Sequence, residues 1–243
     1  MPLIPDQFLF PLLFMASIAA LTMAMVYRSF LFGVLAGISF YISIFASFSM
    51  LPLVGVGLAW IVIEHFWGKE GRRGALTMPA LGLCTGMAAA WMALFVVAGY
   101  NPIVRMDAAL EYHRQLKQIA NTPGSVLNYA LLNSVEFAVW NGFALITVLV
   151  GSLIRSATVF VRRQGEMRDS LTLAYGATFL GLLVGGQTEG EVGRLWIFLV
   201  PLACVLLAPL ASRLLEDQSR SVRMVMAFQL ITACLMFLNM DFR

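Results

Sequence analysis

The stretch SFLFGVLAGISFYISIFASFSMLPLVGVGLAWIVI, Ser29–Ile63, contains no charged residue over 35 positions. A helix of about 20 apolar residues already spans the hydrocarbon core of a bilayer, so this stretch is too long for a single span. Polar residues and a proline cluster at Ser47–Pro52, and proline disfavours helical geometry in the residue before it. The stretch therefore predicts two membrane helices, Phe30–Phe48 and Leu51–Ile63, joined by a tight turn.

The composition of the whole chain agrees with a lipid environment. Of its 243 residues, 60% are hydrophobic and 12% are charged, and the mean hydropathy is +0.84. Soluble domains carry about 25% charged residues, so this chain has too little polar surface to cover a globule in water. We predict an integral membrane protein forming one transmembrane domain over residues 1–243, with membrane lipids and not nucleic acid around it.

Further apolar runs predict an all-α, polytopic bundle of about seven to eight spans. Beyond the two helices above, the runs are Phe8–Tyr27, Ala75–Ala98, Asn128–Ile154, Ser170–Gly185, Leu195–Ser212 and Met224–Met240. The first run has no positive residue before it, which favours an uncleaved helix with its N-terminus outside. Three pairs of glycines spaced by four predict close helix packing within the bundle, with dimerisation as the alternative; they are Gly33 and Gly37, Gly82 and Gly86, and Gly181 and Gly185.

The positive charges are divided unevenly between the connections. With Arg28, the connections 64–74, 155–169 and 213–223 hold eleven of the 16 Lys and Arg residues. The positive-inside rule places these three connections in the cytoplasm, as in a bacterial-type inner membrane. Two connections, 99–127 and 186–194, are then expected on the extracytoplasmic side.

The outer connection 99–127 predicts an amphipathic helix that lies in the membrane interface. Asp107 is expected to cap it, and apolar residues then recur at helical spacing. One interpretation is a surface helix that covers the bundle. In the other, Arg105 and His113 contact a lipid phosphate, and the imidazole transfers protons.

The run after this connection carries polar residues deep in an apolar helix. Tyr129, Asn133, Glu136 and Trp140 fall on one side of a helix with 3.6 residues per turn. An ionisable group inside a membrane is costly and is by default a functional candidate. The alternative for Glu136 is a structural hydrogen bond to another helix.

The second outer connection has a carboxylate and a guanidinium three residues apart. Glu191 and Arg194 share one face if a helix begins there, and a guanidinium can hold a phosphate through two hydrogen bonds. Alternatively, the acids complement the helix dipole and Arg194 anchors the membrane boundary. Ser39, Ser43 and Ser47, four residues apart, favour tight packing over a polar path.

Two segments resemble polytopic membrane glycosyltransferases of the GT-C superfamily. The segment GEVGRLWIFLVPL, Gly190–Leu202, is similar to their Gly-Glu-x-x-Arg run before a Trp-containing helix. The segment NSVEFAVWNG, Asn133–Gly142, is similar to their Asn-x-x-(Glu/Asp)-Phe-Ala helix. The resemblance covers most of the chain, as the C-terminal half of a longer family member.

The resemblance implies transfer of a sugar from a polyprenyl-phosphate carrier outside the cytoplasmic membrane. Arg194 and Glu191 would hold the phosphate, with Glu136 and Asn133 orienting polar groups beside it. The chain departs from the family at Glu189, where members commonly carry arginine, and it has no counterpart of the acidic catalytic loop. The catalytic base is therefore not identified, and an upstream half or a partner subunit is implied for catalysis.

Two further hypotheses stay open beside the glycosyltransferase: a transporter or flippase for a lipid or small solute, and a non-catalytic membrane subunit. The sequence contains no HExxH, GxSxG or Walker-type motif, and with two histidines it predicts no metal site and no cofactor.

Overall fold

The computed structural model describes residues 9–68, 76–117, 123–185, 196, 198–214, 227 and 230. These segments are helical and contain no strand, which confirms the all-α class. Their α-helices, in chain order, are α1 Leu9–Tyr27, α2 Phe30–Ala46, α3 Leu51–Trp67, α4 Thr77–Ala98, α5 Pro102–Lys117, α6 Pro123–Asn141, α7 Phe143–Val161, α8 Met167–Gly185 and α9 Leu199–Leu214.

The charge-free stretch breaks where the sequence predicts a break. Ser47 is extended, with φ −160°, and its hydroxyl accepts a hydrogen bond of 3.2 Å from the Ser49 N–H, which begins the 3-10 turn Phe48–Met50. Pro52 then lies in the first turn of α3, where its missing N–H would have no intrahelical partner. The helix continues to Trp67, so the first residues of the predicted connection 64–74 are helical.

The predicted span Asn128–Ile154 is not one straight helix. The structure forms two helices there, α6 and α7, which meet at an angle of 115°. Gly142 lies between them with φ 85°, a conformation that glycine adopts without steric cost and that a continuing α-helix does not allow. Asn141 and Gly142 form an Asn-Gly pair, which is a turn signal, but the runs on both sides are apolar, so averaged hydropathy does not reveal this break.

The predicted helix in the outer connection is confirmed, but its predicted start at Asp107 is wrong. α5 begins at Pro102, because the Asn101 side-chain oxygen accepts a hydrogen bond of 3.1 Å from the Ile103 N–H. Asparagine as the cap with proline directly after it is a favourable helix start. Ile103 and Tyr112 are exposed, so α5 presents apolar side chains outward, as an interfacial helix does.

The closest helix contact joins α2 and α4 through the two glycine pairs. A Cβ atom on Gly33 would lie 3.0 Å from the Cα of Gly82, and one on Gly37 would lie 3.0 Å from the Cα of Gly86. These approaches are possible because no side chain separates the two backbones. The glycine spacing therefore serves packing within the chain at these four positions, as the sequence favours. Gly181, from a third pair, has nothing within 4 Å of its would-be Cβ.

The other helices assemble around α8 and α9. α8 packs against α3, α7 and α6, while α9 lies against α7 and α1 and links the two groups of helices. A continuous core of buried side chains runs through both groups, and its largest members are Trp60, Tyr175, Phe14, Phe40, Phe137 and Phe198.

The serine side chains of α2 take part in this packing. The Ser17 hydroxyl of α1 lies 2.8 Å from the Ser39 hydroxyl and 3.3 Å from that of Ser43. Ser43 also donates to the Ser39 carbonyl, and both Ser17 and Ser43 are fully buried. These hydroxyls hydrogen-bond inside the helix interface and do not line a polar path, so the packing interpretation is confirmed.

The outer surface of the described helices is strongly apolar. Val96 and Val97 of α4 expose 75% and 84% of their surface. Among the described residues, three helical segments are long and apolar enough to cross a membrane: α1, the unit Phe48–Trp67 and α4. The bent pair α6–α7 makes a fourth if it crosses as one span, while α2 and the apolar part of α9 are shorter. The chain is thus a helical protein with membrane-spanning segments; the count of seven to eight spans stays a prediction.

We predict that Gly37→Ala destabilises the protein by about 1–3 kcal/mol, because the new methyl group would contact the Leu83 carbonyl and force α2 from α4. Gly181→Ala is the matched control, because nothing lies near its would-be Cβ. Thermal unfolding in detergent measures both variants. Equal melting temperatures for the two variants would contradict the α2–α4 contact.

Candidate functional site

The predicted polar side of the helix after the outer connection is only partly formed. Asn133 is fully buried and Glu136 is half-buried, so both lie on or beside the face of α6 that meets the bundle. Tyr129 is also half-buried, but Trp140 is 48% exposed and does not join them. The 115° bend between α6 and α7 lies at Gly142, two residues after Trp140. The buried face of α6 therefore ends with the last turn of this helix.

An aromatic cluster holds this face of α6 in place. The ring of Phe137 lies 4.8 Å from that of Phe179 on α8 and 6.1 Å from that of Trp196, measured between centroids. Phe179 and Trp196 are in edge-to-face contact at 5.7 Å, and Tyr175 stacks on Phe179 at 6.3 Å. Such geometries match the preferred arrangements of aromatic pairs. The cluster therefore joins α6, α8 and the turn that precedes α9.

This cluster brings together the two segments that carry the family resemblance. Phe137 belongs to the segment Asn133–Gly142, and Trp196 belongs to Gly190–Leu202. Trp196 is 3% exposed and is the second residue after Arg194 in the sequence. The two segments are separated by almost fifty residues in the chain, so this contact could not be read from either motif alone.

The remaining predicted site residues are Glu191, Arg194, His113 and Arg105. Glu191 and Arg194 lie outside the described residues, as does the side chain of His113, although its backbone is part of α5. Arg105 is exposed in the first turn of α5. α5 contributes little to the packing of the described bundle, so nothing in the described residues joins Arg105 to Asn133 or Glu136.

A groove of about 370 Å³ runs along α6. Its described lining includes Asn128, Tyr129, Leu132 and Val135, and it is mainly apolar. Tyr129 of the predicted polar side therefore borders the groove, whereas Asn133 and Glu136 do not line it.

The structure also contains a buried polar network that the sequence reading missed. The Glu64 carboxylate is 1% exposed and accepts a hydrogen bond of 2.6 Å from the Ser170 hydroxyl. The Trp60 indole N–H donates to the same Ser170 oxygen at 3.0 Å. Beside it, Asp169 accepts from the Ser156 hydroxyl at 3.1 Å and from the Glu166 N–H at 2.9 Å. These bonds tie α3 and α7 to the start of α8.

A signal for this network was present in the sequence. Trp60 and Glu64 are four residues apart, so they share one face of α3, and both side chains then meet Ser170. In the sequence, Glu64 is the first charged residue after an apolar run, and such a residue usually indicates the start of a connection in solvent. Burial of the carboxylate depends on α8 packing against α3, and a long-range contact of this kind is not visible in the sequence.

The described residues contain no group of three or more His, Cys, Asp or Glu side chains that could hold a metal ion. Comparison with family models, with characterised proteins and with solved structures found no match for this chain. The chemistry of the site therefore has to be argued from its own residues.

We predict that Phe137→Ala and Trp196→Ala are coupled in a double-mutant cycle by about 0.5–1.5 kcal/mol, because each substitution removes the same contact between the two rings. Unfolding free energies of the two single variants and the double variant give the coupling. Phe143→Ala combined with Trp196→Ala is the control, since Phe143 is exposed on α7. Additive effects for Phe137 and Trp196 would contradict the contact.

We also predict that Ser170→Ala lowers the unfolding free energy by about 1–3 kcal/mol, because a buried carboxylate and an indole lose a partner. Ser134→Ala makes the same chemical change, where the hydroxyl bonds the Ala130 carbonyl of its own helix. Denaturation in detergent compares the two. If Ser170→Ala is no more destabilising than Ser134→Ala, the network does not stabilise the fold.

Proposed function

We propose that this chain is the carrier-binding part of a GT-C-like membrane glycosyltransferase, which holds a polyprenyl-phosphate-linked sugar at the extracytoplasmic face. The observation that carries the proposal is the contact of Phe137 with Trp196. It joins the two segments whose motifs resemble this superfamily. Two segments that form one substrate site have to lie next to each other, and this contact is consistent with that requirement.

The polar residues of α6 support the same proposal. Asn133 is completely buried and Glu136 is half-buried within a helix that is otherwise mainly apolar. Ionisable groups in such helices are costly and commonly serve a function. Beside a carrier phosphate, Asn133 donates a hydrogen bond through its amide, and Glu136 accepts one from a sugar hydroxyl or orients a cation.

Arg194 supplies the phosphate contact in this proposal. Its guanidinium can form two parallel hydrogen bonds to a phosphate, and Glu191 can orient it from three residues earlier. Glu189 adds a negative charge where the family commonly has arginine, so Arg194 carries the phosphate contact alone. The acceptor's proton is then taken by a carboxylate outside this chain, in an upstream half or a partner subunit.

The exposed apolar side chains of α5 fit an interfacial position beside such a site. Ile103, Val104 and Tyr112 are exposed, and Arg105 lies among them on the same helix. An interfacial helix of this type buries its apolar side chains at the level of lipid headgroups and presents its cations to phosphates. We therefore assign Arg105 and His113 to the approach of the carrier.

We predict that Arg194→Ala weakens binding of undecaprenyl phosphate to the detergent-solubilised full chain by about tenfold to a hundredfold, the loss expected for charge-assisted hydrogen bonds. Native mass spectrometry or calorimetry measures the affinity. Arg194→Lys keeps the charge without the paired hydrogen-bond geometry, so its affinity should lie between those of the wild type and Arg194→Ala.

Arg162→Ala is the control, because Arg162 is exposed in the connection between α7 and α8. It should leave binding unchanged. Wild-type affinity in Arg194→Ala, or an equal loss in Arg162→Ala, would contradict the proposed phosphate contact.

Glu136→Gln is expected to weaken binding of the sugar-linked carrier more than binding of the bare carrier phosphate.

One observation favours a second candidate, a transporter or flippase. The bend of 115° at Gly142 interrupts the α6–α7 pair, and helices broken in this way often form solute sites in transporters. Movement of labelled lipid or solute across proteoliposomes containing the chain would favour this candidate. Carrier binding without such movement would favour the glycosyltransferase.

A further inference from the structure

An apolar cavity of about 490 Å³ lies between α1, α3, α8 and α9, away from the aromatic cluster around Phe137. Its lining includes Met15 and Met23 of α1, Trp60 of α3, and Leu206 of α9. Met15 and Met23 are eight residues apart, so the cavity follows α1 for about 12 Å. The space therefore extends along one side of α1.

The cavity wall offers few free polar groups. The Thr22 hydroxyl donates to the Ile18 carbonyl at 2.8 Å, and the Trp60 indole N–H donates to Ser170 at 3.0 Å. Both polar residues in the wall therefore have partners elsewhere. A cavity whose polar groups are satisfied favours hydrocarbon over water.

Among the described residues that line the cavity, Arg168 is the single charged one. It lies in the first turn of α8 and is half-buried. Within the described part of the chain, its guanidinium forms no ion pair. The nearest acids in the sequence are Glu166, which is exposed, and Asp169, whose carboxylate accepts from Ser156 and from the Glu166 N–H.

Three further arginines precede Arg168 in this part of the sequence. Arg162 and Arg163 are exposed in the connection between α7 and α8, and Arg155 lies on the last turns of α7. Basic clusters at the ends of membrane helices attract anionic lipids. The cavity thus combines an apolar channel with a cation at one end, which is the charge and shape complement of an anionic amphiphile.

We propose that this cavity binds one acyl chain of an anionic phospholipid, with the lipid phosphate paired to Arg168. The chain follows α1 past Met15 and Met23, and the guanidinium holds the phosphate through two hydrogen bonds. The positive charge of Arg168 favours a negative headgroup over a zwitterionic one. The lipid would bridge α1, α8 and α9, and this inference does not depend on the proposed glycosyltransferase function.

The test measures binding of dioleoyl phosphatidylglycerol to the detergent-solubilised full chain by native mass spectrometry. Arg168→Gln should weaken binding by about tenfold, because the paired hydrogen bonds to phosphate are lost. Ala19→Phe places a ring in the cavity from an exposed position on α1 and should weaken binding at least as much. Arg162→Gln makes the same charge change outside the cavity and should have less than about a twofold effect.

Two comparisons identify the ligand class. Dioleoyl phosphatidylcholine has the same chains without net charge and should bind about tenfold more weakly, whereas inorganic phosphate should not compete at millimolar concentration. Equal loss in Arg162→Gln and Arg168→Gln would overturn the site in favour of general attraction to the basic connection. Wild-type binding in Ala19→Phe would overturn the cavity as the position of the acyl chain, and it decides the outcome if Arg168→Gln does not fold.

Discussion

The close approach of α2 and α4 through four glycines determines how the first part of the bundle is arranged. With no side chain between them, the backbones at Gly33 and Gly82 and at Gly37 and Gly86 come within van der Waals distance. Helices in lipid gain little from burying apolar surface, so such close packing supplies much of their attraction. The serine hydroxyls shared by α1 and α2 add hydrogen bonds on the other side of α2.

Polar groups at the other helices are used in a comparable way. Glu64, Trp60 and Ser170 tie α3 to α8, and Asp169 ties α7 to the same helix start. The buried Asp169 carboxylate is tolerated because it accepts two hydrogen bonds, and breaking such a set costs more than forming it gains. This explains why acids occur in a chain with only 12% charged residues without requiring each of them to be catalytic.

The two proposals concern different parts of the molecule. The aromatic contact between Phe137 and Trp196 concerns α6 and the turn before α9, where a carrier phosphate is proposed to bind. The cavity beside Arg168 lies at the end of the bundle where α8 begins, next to the basic connection between α7 and α8. A bound lipid there would hold α1, α8 and α9 together, so the second site would stabilise the helices that frame the first.

The sequence by itself determined that the chain is helical and apolar enough for membrane segments, because one long stretch carries no charge and its only break is marked by serines and Pro52. It also predicted the glycine packing and the helix in the outer connection. Hydropathy could not reveal the bend at Gly142, which depends on one backbone angle within an apolar run. The start of α5 was misassigned because two good capping residues, Asn101 and Asp107, compete within one segment. Only the tertiary structure decided that Glu64 is buried against Ser170, that Trp140 faces outward and that Phe137 meets Trp196, because each depends on contacts between residues far apart in the chain.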